Sequence, residues 1–127
     1  MKYSIQGQQV QRLCFDYAVS IETSDGAVLR IETPFQLSQS GEDPFQTVDP
    51  EHLEQSGSSL FSLINGEIGS ASISDWGALS IRFAKGQLLL CEPNSQFEAW
   101  SIASPSGEQM VCLPGGGVAV WPEVQGS

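Results

Sequence analysis

Val19-Ser20-Ile21-Glu22-Thr23-Ser24-Asp25-Gly26-Ala27-Val28-Leu29-Arg30-Ile31 is the stretch that decides the fold class. Apolar and polar residues alternate on both sides of Ser24-Asp25-Gly26, the period of two that turns one side of a strand to a core and the other to water. Two such runs around a Gly turn make a β-hairpin. A two-residue Asp25-Gly26 loop would set Ile21 opposite Arg30, whereas a three-residue loop sets Ile21 opposite Leu29 and Val19 opposite Ile31. Only the second keeps one face apolar, so it is expected, as a type I turn with Gly26 in the left-handed conformation.

Working outward, the alternation begins at Val10, and Thr33-Pro34 ends it because proline cannot donate to a ladder. Ser38 to Asp43 carries no apolar period and reads as an exposed loop. Asp49-Pro50-Glu51 then offers an N-cap, a first-turn proline and a first-turn carboxylate. Leu53, Leu60, Leu63 and Ile64 follow near helical spacing until Asn65-Gly66. One helix, or two short ones broken at Ser56-Gly57, is expected over 49–65.

A second hairpin is expected about Lys85-Gly86, with a two-residue turn pairing Phe83 with Leu88 and Ile81 with Leu90. Leu88-Leu89-Leu90-Cys91 is apolar on both faces, which marks a central strand covered by sheet on one side and by the 49–65 helix on the other. A third hairpin joins Phe97–Ile102 to Gln109–Leu113 through Ser104-Pro105-Ser106-Gly107, and Val118–Trp121 makes a last short strand. No internal repeat and no low-complexity tract is evident. The expectation is a mainly β (α+β) fold: an antiparallel sheet of six to eight strands built of β-hairpins, with one short helical segment packed on one face.

At 127 residues the chain matches the commonest size of a single domain, so one core spanning 1–127 is expected. Hydrophobic residues make up 40% and charged ones 16%, which fits a folded chain rather than a disordered one. The charge is lopsided: 15 Asp and Glu stand against 5 Lys and Arg, a formal net charge of -10. Basic side chains that could release counterions from nucleic acid are too few, and anionic membranes would be repelled. Between Arg30 and Arg82 there is no Lys or Arg, while Glu32, Glu42, Asp43, Asp49, Glu51, Glu54, Glu67 and Asp75 fall there. That stretch should project a negative field suited either to solubility or to a basic partner. Met1 to Gly7 holds no apolar run of leader length and no segment is long enough to span a bilayer, so a cytoplasmic protein is expected.

No constellation points to catalysis. His52 is the sole histidine and has no nucleophile motif beside it, so a Ser-His-Asp or Cys-His arrangement is not expected. Cys14, Cys91 and Cys112 are odd in number and widely spaced, which fits reduced thiols better than a disulfide framework or a zinc site. Pro114-Gly115-Gly116-Gly117 lacks the Lys-Ser or Lys-Thr of a phosphate loop and reads as a tight turn with positive φ. A glycosidase-like carboxylate pair needs a substrate cleft that a domain of this size seldom provides. The expected catalytic, cofactor and metal sites are therefore none. Trp100 and Trp121, inside strand patterns, are expected in or at the edge of the core. Trp76, in Ser74-Asp75-Trp76-Gly77, is the better candidate for an exposed contact.

Gly77-Ala78-Leu79-Ser80-Ile81-Arg82-Phe83-Ala84-Lys85-Gly86, Phe97-Glu98-Ala99-Trp100 and Leu113-Pro114-Gly115-Gly116-Gly117-Val118-Ala119-Val120-Trp121 together resemble a family of small uncharacterised bacterial proteins. The shared features are a Gly-x-Leu-x-Ile-x-Phe strand, a glycine turn, an aromatic-Glu-Ala-Trp strand and a terminal Pro-Gly-Gly segment ending in Trp. The layout also resembles small acidic immunity proteins that neutralise bacterial toxins. Together with the small size, the stretch free of basic residues and the absence of a catalytic set, that resemblance points to a protein-binding module that covers a basic protein partner such as a toxin domain, and a monomer or weak homodimer is expected. Glu42, Asp43, Glu51, Glu54 and Trp76 are the residues nominated for that contact. The alternatives are a small-ligand-binding or enzymatic domain with a pocket between sheet and helix, and a homo-oligomer using an open sheet edge.

Overall fold

The computed structural model describes residues 4–121. Met1-Lys2-Tyr3, part of the stretch read for a leader, lies outside the described residues. The chain is mainly β, with two antiparallel sheets and one short helical segment. In chain order the elements are β1 (Val10–Phe15), β2 (Val19–Thr23), β3 (Val28–Ile31), β4 (Phe35–Ser38), β5 (Gln46–Val48) and α1 (Leu53–Ser56). A 3-10 helix (Gly57–Leu63) follows, then β6 (Ile68–Ile73), β7 (Leu79–Phe83), β8 (Leu88–Cys91), β9 (Trp100–Ala103), β10 (Gln109–Cys112) and β11 (Val118–Trp121).

The strands form a six-stranded sheet, β1-β2-β3-β9-β10-β11, and a five-stranded sheet, β5-β4-β8-β7-β6. One sheet of six to eight strands was the expectation. The difference arises at Pro34 and Pro93, where the chain leaves one sheet and enters the other: β4 pairs with β8, and β9 pairs with β3. Inward residues of both sheets share one core, in which Trp100, Phe35 and Phe83 are the largest fully buried side chains.

The Asp25-Gly26 hairpin has the register that its alternation demands, Val19 opposite Ile31 and Ile21 opposite Leu29, with Gly26 at φ 90°. The Lys85-Gly86 hairpin differs by one residue from the expected pairing. Its loop is also three residues long, closed by Phe83 N–H donating to the Gln87 carbonyl at 2.9 Å, so Ile81 faces Leu89 and Arg82 faces Leu88. Because Leu88 to Cys91 is apolar at every position, that strand held no alternation to fix a register. The core takes Leu89 and Cys91, and Leu88 and Leu90 are half-buried on the outer face. The strand is central, between β4 and β7, but its outward cover is not the helical segment, whose α1 packs beside the edge strand β5. Gln87 Nε2 donates to the Ser62 carbonyl and Gln39 Nε2 to the Ser59 carbonyl, both at 3.3 Å, so the 3-10 helix runs down one side of the sandwich. Leu60 and Leu63 enter the core from it.

The structure also contains a repeat that was not evident in sequence. Residues Ser4 to Glu32 and Ser62 to Glu92 form the same unit twice: a buried Ile5 or Leu63, a left-handed Gly7 (φ 85°) or Asn65 (φ 67°), then a three-stranded meander. The two units meet through reciprocal bonds. Val10 N–H donates to the Gly66 carbonyl and Ile68 N–H to the Gln8 carbonyl, both at 2.8 Å. Gly7 N–H donates to the Ile68 carbonyl and Asn65 N–H to the Val10 carbonyl. Val19, Ile21, Gly26, Leu29 and Ile31 of the first unit correspond to Leu79, Ile81, Gly86, Leu89 and Cys91 of the second. The bulges correspond too, at Val10/Arg12 and at Ile68/Ser70.

Asp49 is not the N-cap of the helix, which begins four residues later with His52 in the cap position and no side-chain cap bond. Instead its Oδ1 accepts the Glu51 N–H at 3.0 Å, making an Asx turn that Pro50 at the next position also favours. Phe97 falls outside β9, whose first residue is Trp100, and Trp121 on the edge strand β11 is 49% exposed rather than core.

Candidate functional site

Strand direction sorts every loop to one of two ends. The β2–β3, β4–β5, β7–β8 and β9–β10 turns lie at one end, and both sheet crossovers lie at the other. The crossover end also carries the β1–β2, β6–β7 and β10–β11 turns and the approach to α1. Large exposed aromatics favour it: Tyr17, Trp76 and Phe97 stand on its loops, and Phe61 leans on Phe15 at the end of β1.

The nominated residues therefore do not form one surface. Glu42 and Asp43 sit in the β4–β5 loop at the turn end, tied locally by Ser40 Oγ accepting the Glu42 N–H and Ser38 Oγ donating to the Asp43 carbonyl. Glu51, Glu54 and Trp76 belong to the crossover end and its helical flank. Consecutive acidic residues gave no hint of this split, because it depends on which way β4 and β5 run.

At the crossover end the parts form a strip. Trp76 Nε1 donates to Glu92 Oε2 at 3.4 Å, and the Gly117 N–H donates to the Trp76 carbonyl at 2.9 Å. Two residues beyond Glu92, Asn94 Oδ1 accepts the N–H groups of Gln96 at 2.8 Å and Phe97 at 3.1 Å, a turn that projects the Phe97 ring outward. The Gly115 N–H donates to the Asn94 carbonyl, so the glycine turn buttresses the same loop. Asn94 and Phe97 line a shallow cleft of about 180 Å³ together with Glu32, Thr33, Pro34, Asp49 and Glu51. Phe97 and Glu92 went unnominated in sequence; the signal that could have found them is Pro93-Asn94-Ser95, a turn that breaks the strand read through Phe97.

His52 Nδ1 lies 3.0 Å from Asp49 Oδ2 at the edge of this cleft. The pair holds the Asp49 carboxyl below its ordinary value, first through the Glu51 N–H and then through the ring, and raises the imidazole above its own. Ser56 Oγ accepts the Asp49 N–H at 3.0 Å and donates to the His52 carbonyl at 3.1 Å, so that hydroxyl is bound to the backbone of both residues and the group forms a local clasp. Burial pushes the Cys91 thiol up to about 12 and raises Cys112 as well, which suits inert core positions. Among the described residues no group of three or more His, Cys, Asp and Glu is placed to hold a metal ion. Nor is any helix there long and apolar enough to cross a membrane.

Pro114-Gly115-Gly116-Gly117 is the tight turn expected of it, with φ of 81°, 110° and 87° at its three glycines. Leu113 N–H donates across it to the Gly117 carbonyl at 2.9 Å. No curated protein and no solved structure matches the chain. One family model does, over residues 1–122, under the description "Family of unknown function (DUF6188)". That match takes in both meanders, the helical segment and the glycine turn, and the chain belongs to this family of unknown function.

Proposed function

We propose that the chain is a non-catalytic protein-binding module whose crossover end docks on a basic partner, an immunity-type inhibitor covering a toxin domain being the concrete form. The observation that supports this reading is the strip Trp76, Glu92, Phe97, Glu51. Exposed aromatic rings alternate there with carboxylates, and rigid turns rather than long flexible loops hold them. Trp76 is 62% and Phe97 61% exposed. Aromatic anchors of this kind contribute most of the energy of protein interfaces once desolvated, and surrounding charge chiefly raises the association rate. A net charge of -10 favours a partner of the opposite sign.

The test compares the two acidic ends against a partner captured from the source organism. Glu51→Gln with Glu54→Gln should slow association by roughly three- to tenfold at low salt and flatten its dependence on ionic strength. Glu42→Gln with Asp43→Asn, at the turn end, should leave both nearly unchanged. Trp76→Ala should act on dissociation instead, weakening binding by about tenfold or more. Equal rates and salt slopes for the two charge variants would mean that the carboxylates serve solubility alone.

A further inference from the structure

We propose that the cleft between the end of β1 and the helical segment is a groove for a basic amphipathic helix of the partner. Such a helix would insert apolar side chains beside Phe61 and set a lysine or arginine against Glu54. This rests on the protein-binding reading above and adds the form of the segment that is bound.

The cleft is open, offers about 380 Å³ and is lined by Phe15, Leu53, Glu54, Gly57, Ser58 and Phe61. Ligand sites begin at roughly that size. Its aromatic wall is pre-built: the Phe15 and Phe61 rings meet edge to face, 6.4 Å between centroids and 86° between planes, while Phe61 stays 60% exposed. Gly57 lets the Leu53 side chain pack closely against the backbone, since a Cβ there would press on it at 3.2 Å. Apolar walls and a helical border suit a helix-in-groove contact, and the open mouth admits a segment from outside.

Charge chooses among the occupants. Glu54 is the one charged residue lining the cleft, so no basic side chain does. On the adjoining sheet, Arg12 and Arg30 already face Glu22 at 3.4 Å and Asp16 at 3.0 Å. A second copy of a chain at -10 would bring more negative charge to a negative site. An amphipathic helix rich in Lys or Arg relieves that field while burying Phe61.

The probe is a synthetic Leu/Lys amphipathic peptide of about 18 residues, titrated into the isotopically labelled full chain and followed by amide shifts. Saturable shifts should centre on Phe15 and on Leu53 to Phe61. Ser58→Trp, which fills the mouth from an exposed position, and Phe61→Ser should each weaken binding by about tenfold. Glu54→Gln should weaken it by roughly threefold, and a Leu/Glu peptide of the same pattern should not bind. Two routes to blocking guard against a folding defect in either, since both side chains are exposed. Shifts centred elsewhere, equal binding of the Leu/Glu peptide, indifference to Ser58→Trp, or self-association through these residues without peptide would each overturn the groove. If the captured partner still distinguishes the Glu51/Glu54 variant from the Glu42/Asp43 variant while Ser58→Trp has no effect on it, the groove fails and the docking end stands.

Discussion

The two meanders, β1-β2-β3 and β6-β7-β8, share a backbone pattern down to their bulges and reciprocal bonds, yet they differ at the turn that faces the crossover end. In the second, Gly77 takes φ 101°, and its carbonyl accepts the Trp100 Nε1–H at 2.9 Å. In the first, the same place is held by Tyr17, also left-handed at φ 65° but 85% exposed. The cause of the difference is a neighbour. The β10–β11 turn packs on Gly77, where a Cβ would meet Cys112 Sγ at 3.1 Å and the Gly117 carbonyl oxygen at 3.2 Å. Among the described residues no strand equivalent to β11 extends the other sheet past β5. One copy of the turn thus accepts a side chain and the other cannot. The repeat fixes hydrogen bonding, and what packs on each copy fixes the residue.

The largest effect should come from the paired aromatics that enter the core at the two crossovers. Trp100→Ala and Phe35→Ala each remove a fully buried ring and should cost about 3–5 kcal/mol. Trp100→Ala should exceed Phe35→Ala by roughly 1 kcal/mol, because it also leaves the Gly77 carbonyl without its donor. Denaturant midpoints at equal slope check this. Equal losses would mean that the indole hydrogen bond contributes nothing net. Next, Gly77→Ala should destabilise by about 1–3 kcal/mol through its φ and its crowding. Tyr17→Gly should stay within about 1 kcal/mol of wild type, as relieved strain offsets added chain entropy. Comparable losses at the two positions would break the proposed asymmetry.

The thiols sharpen the same comparison chemically. Cys14 in β1 is half-buried, its Sγ 3.1 Å from Glu22 Oε2, while Cys91 in β8 is deep in the core with its pKa near 12. A thiol reagent at neutral pH should therefore modify Cys14 first in the folded protein, and Cys91 and Cys112 only after denaturant. Early modification of Cys91 would place β8 nearer the surface than its burial indicates.

The smallest effect concerns His52 and Asp49. A histidine whose folded pKa lies above its unfolded one adds stability below the unfolded value and loses it as pH rises through the folded value, here from near 6.5 upward. Asp49, held low, adds stability above its unfolded pKa and loses it as pH falls through the lowered folded value. The clasp should therefore be strongest in the mildly acidic window between the two. An NMR titration of the His52 ring checks it: Asp49→Asn should bring the ring's midpoint down toward that of a free histidine. An unchanged midpoint would show the contact to be absent in solution.

Alternation and turn chemistry carried much of the fold in sequence. The Asp25-Gly26 register was legible because Val19, Ile21, Leu29 and Ile31 tolerate only one face toward water, and a slip by one residue would expose all four. The glycine turn before β11 was legible for a local reason as well, since three consecutive glycines suit positive φ. The Lys85-Gly86 register was not, because four apolar residues in a row satisfy either pairing. The repeat escaped notice because Thr23 answers to Phe83, Ala27 to Gln87 and Ile31 to Cys91, pairs alike in backbone and unlike in chemistry. The exposure of Trp76 was readable from its turn, whereas Phe97, which was not nominated, looked like strand until Asn94 was seen bending the chain.

By itself the sequence determined what short-range physics decides: the β-hairpins, the left-handed turns at Gly26 and at Gly115 to Gly117, and a helical segment between Pro50 and Gly66. Only the tertiary structure decided which loops share an end, because that depends on strand direction and on the exchange of β4 and β9 between sheets. Glu42 and Glu51 are close along the chain and share its charge pattern, yet β5 carries the backbone from one end of the sandwich to the other between them. Contacts between distant segments set that path, and no local propensity records it.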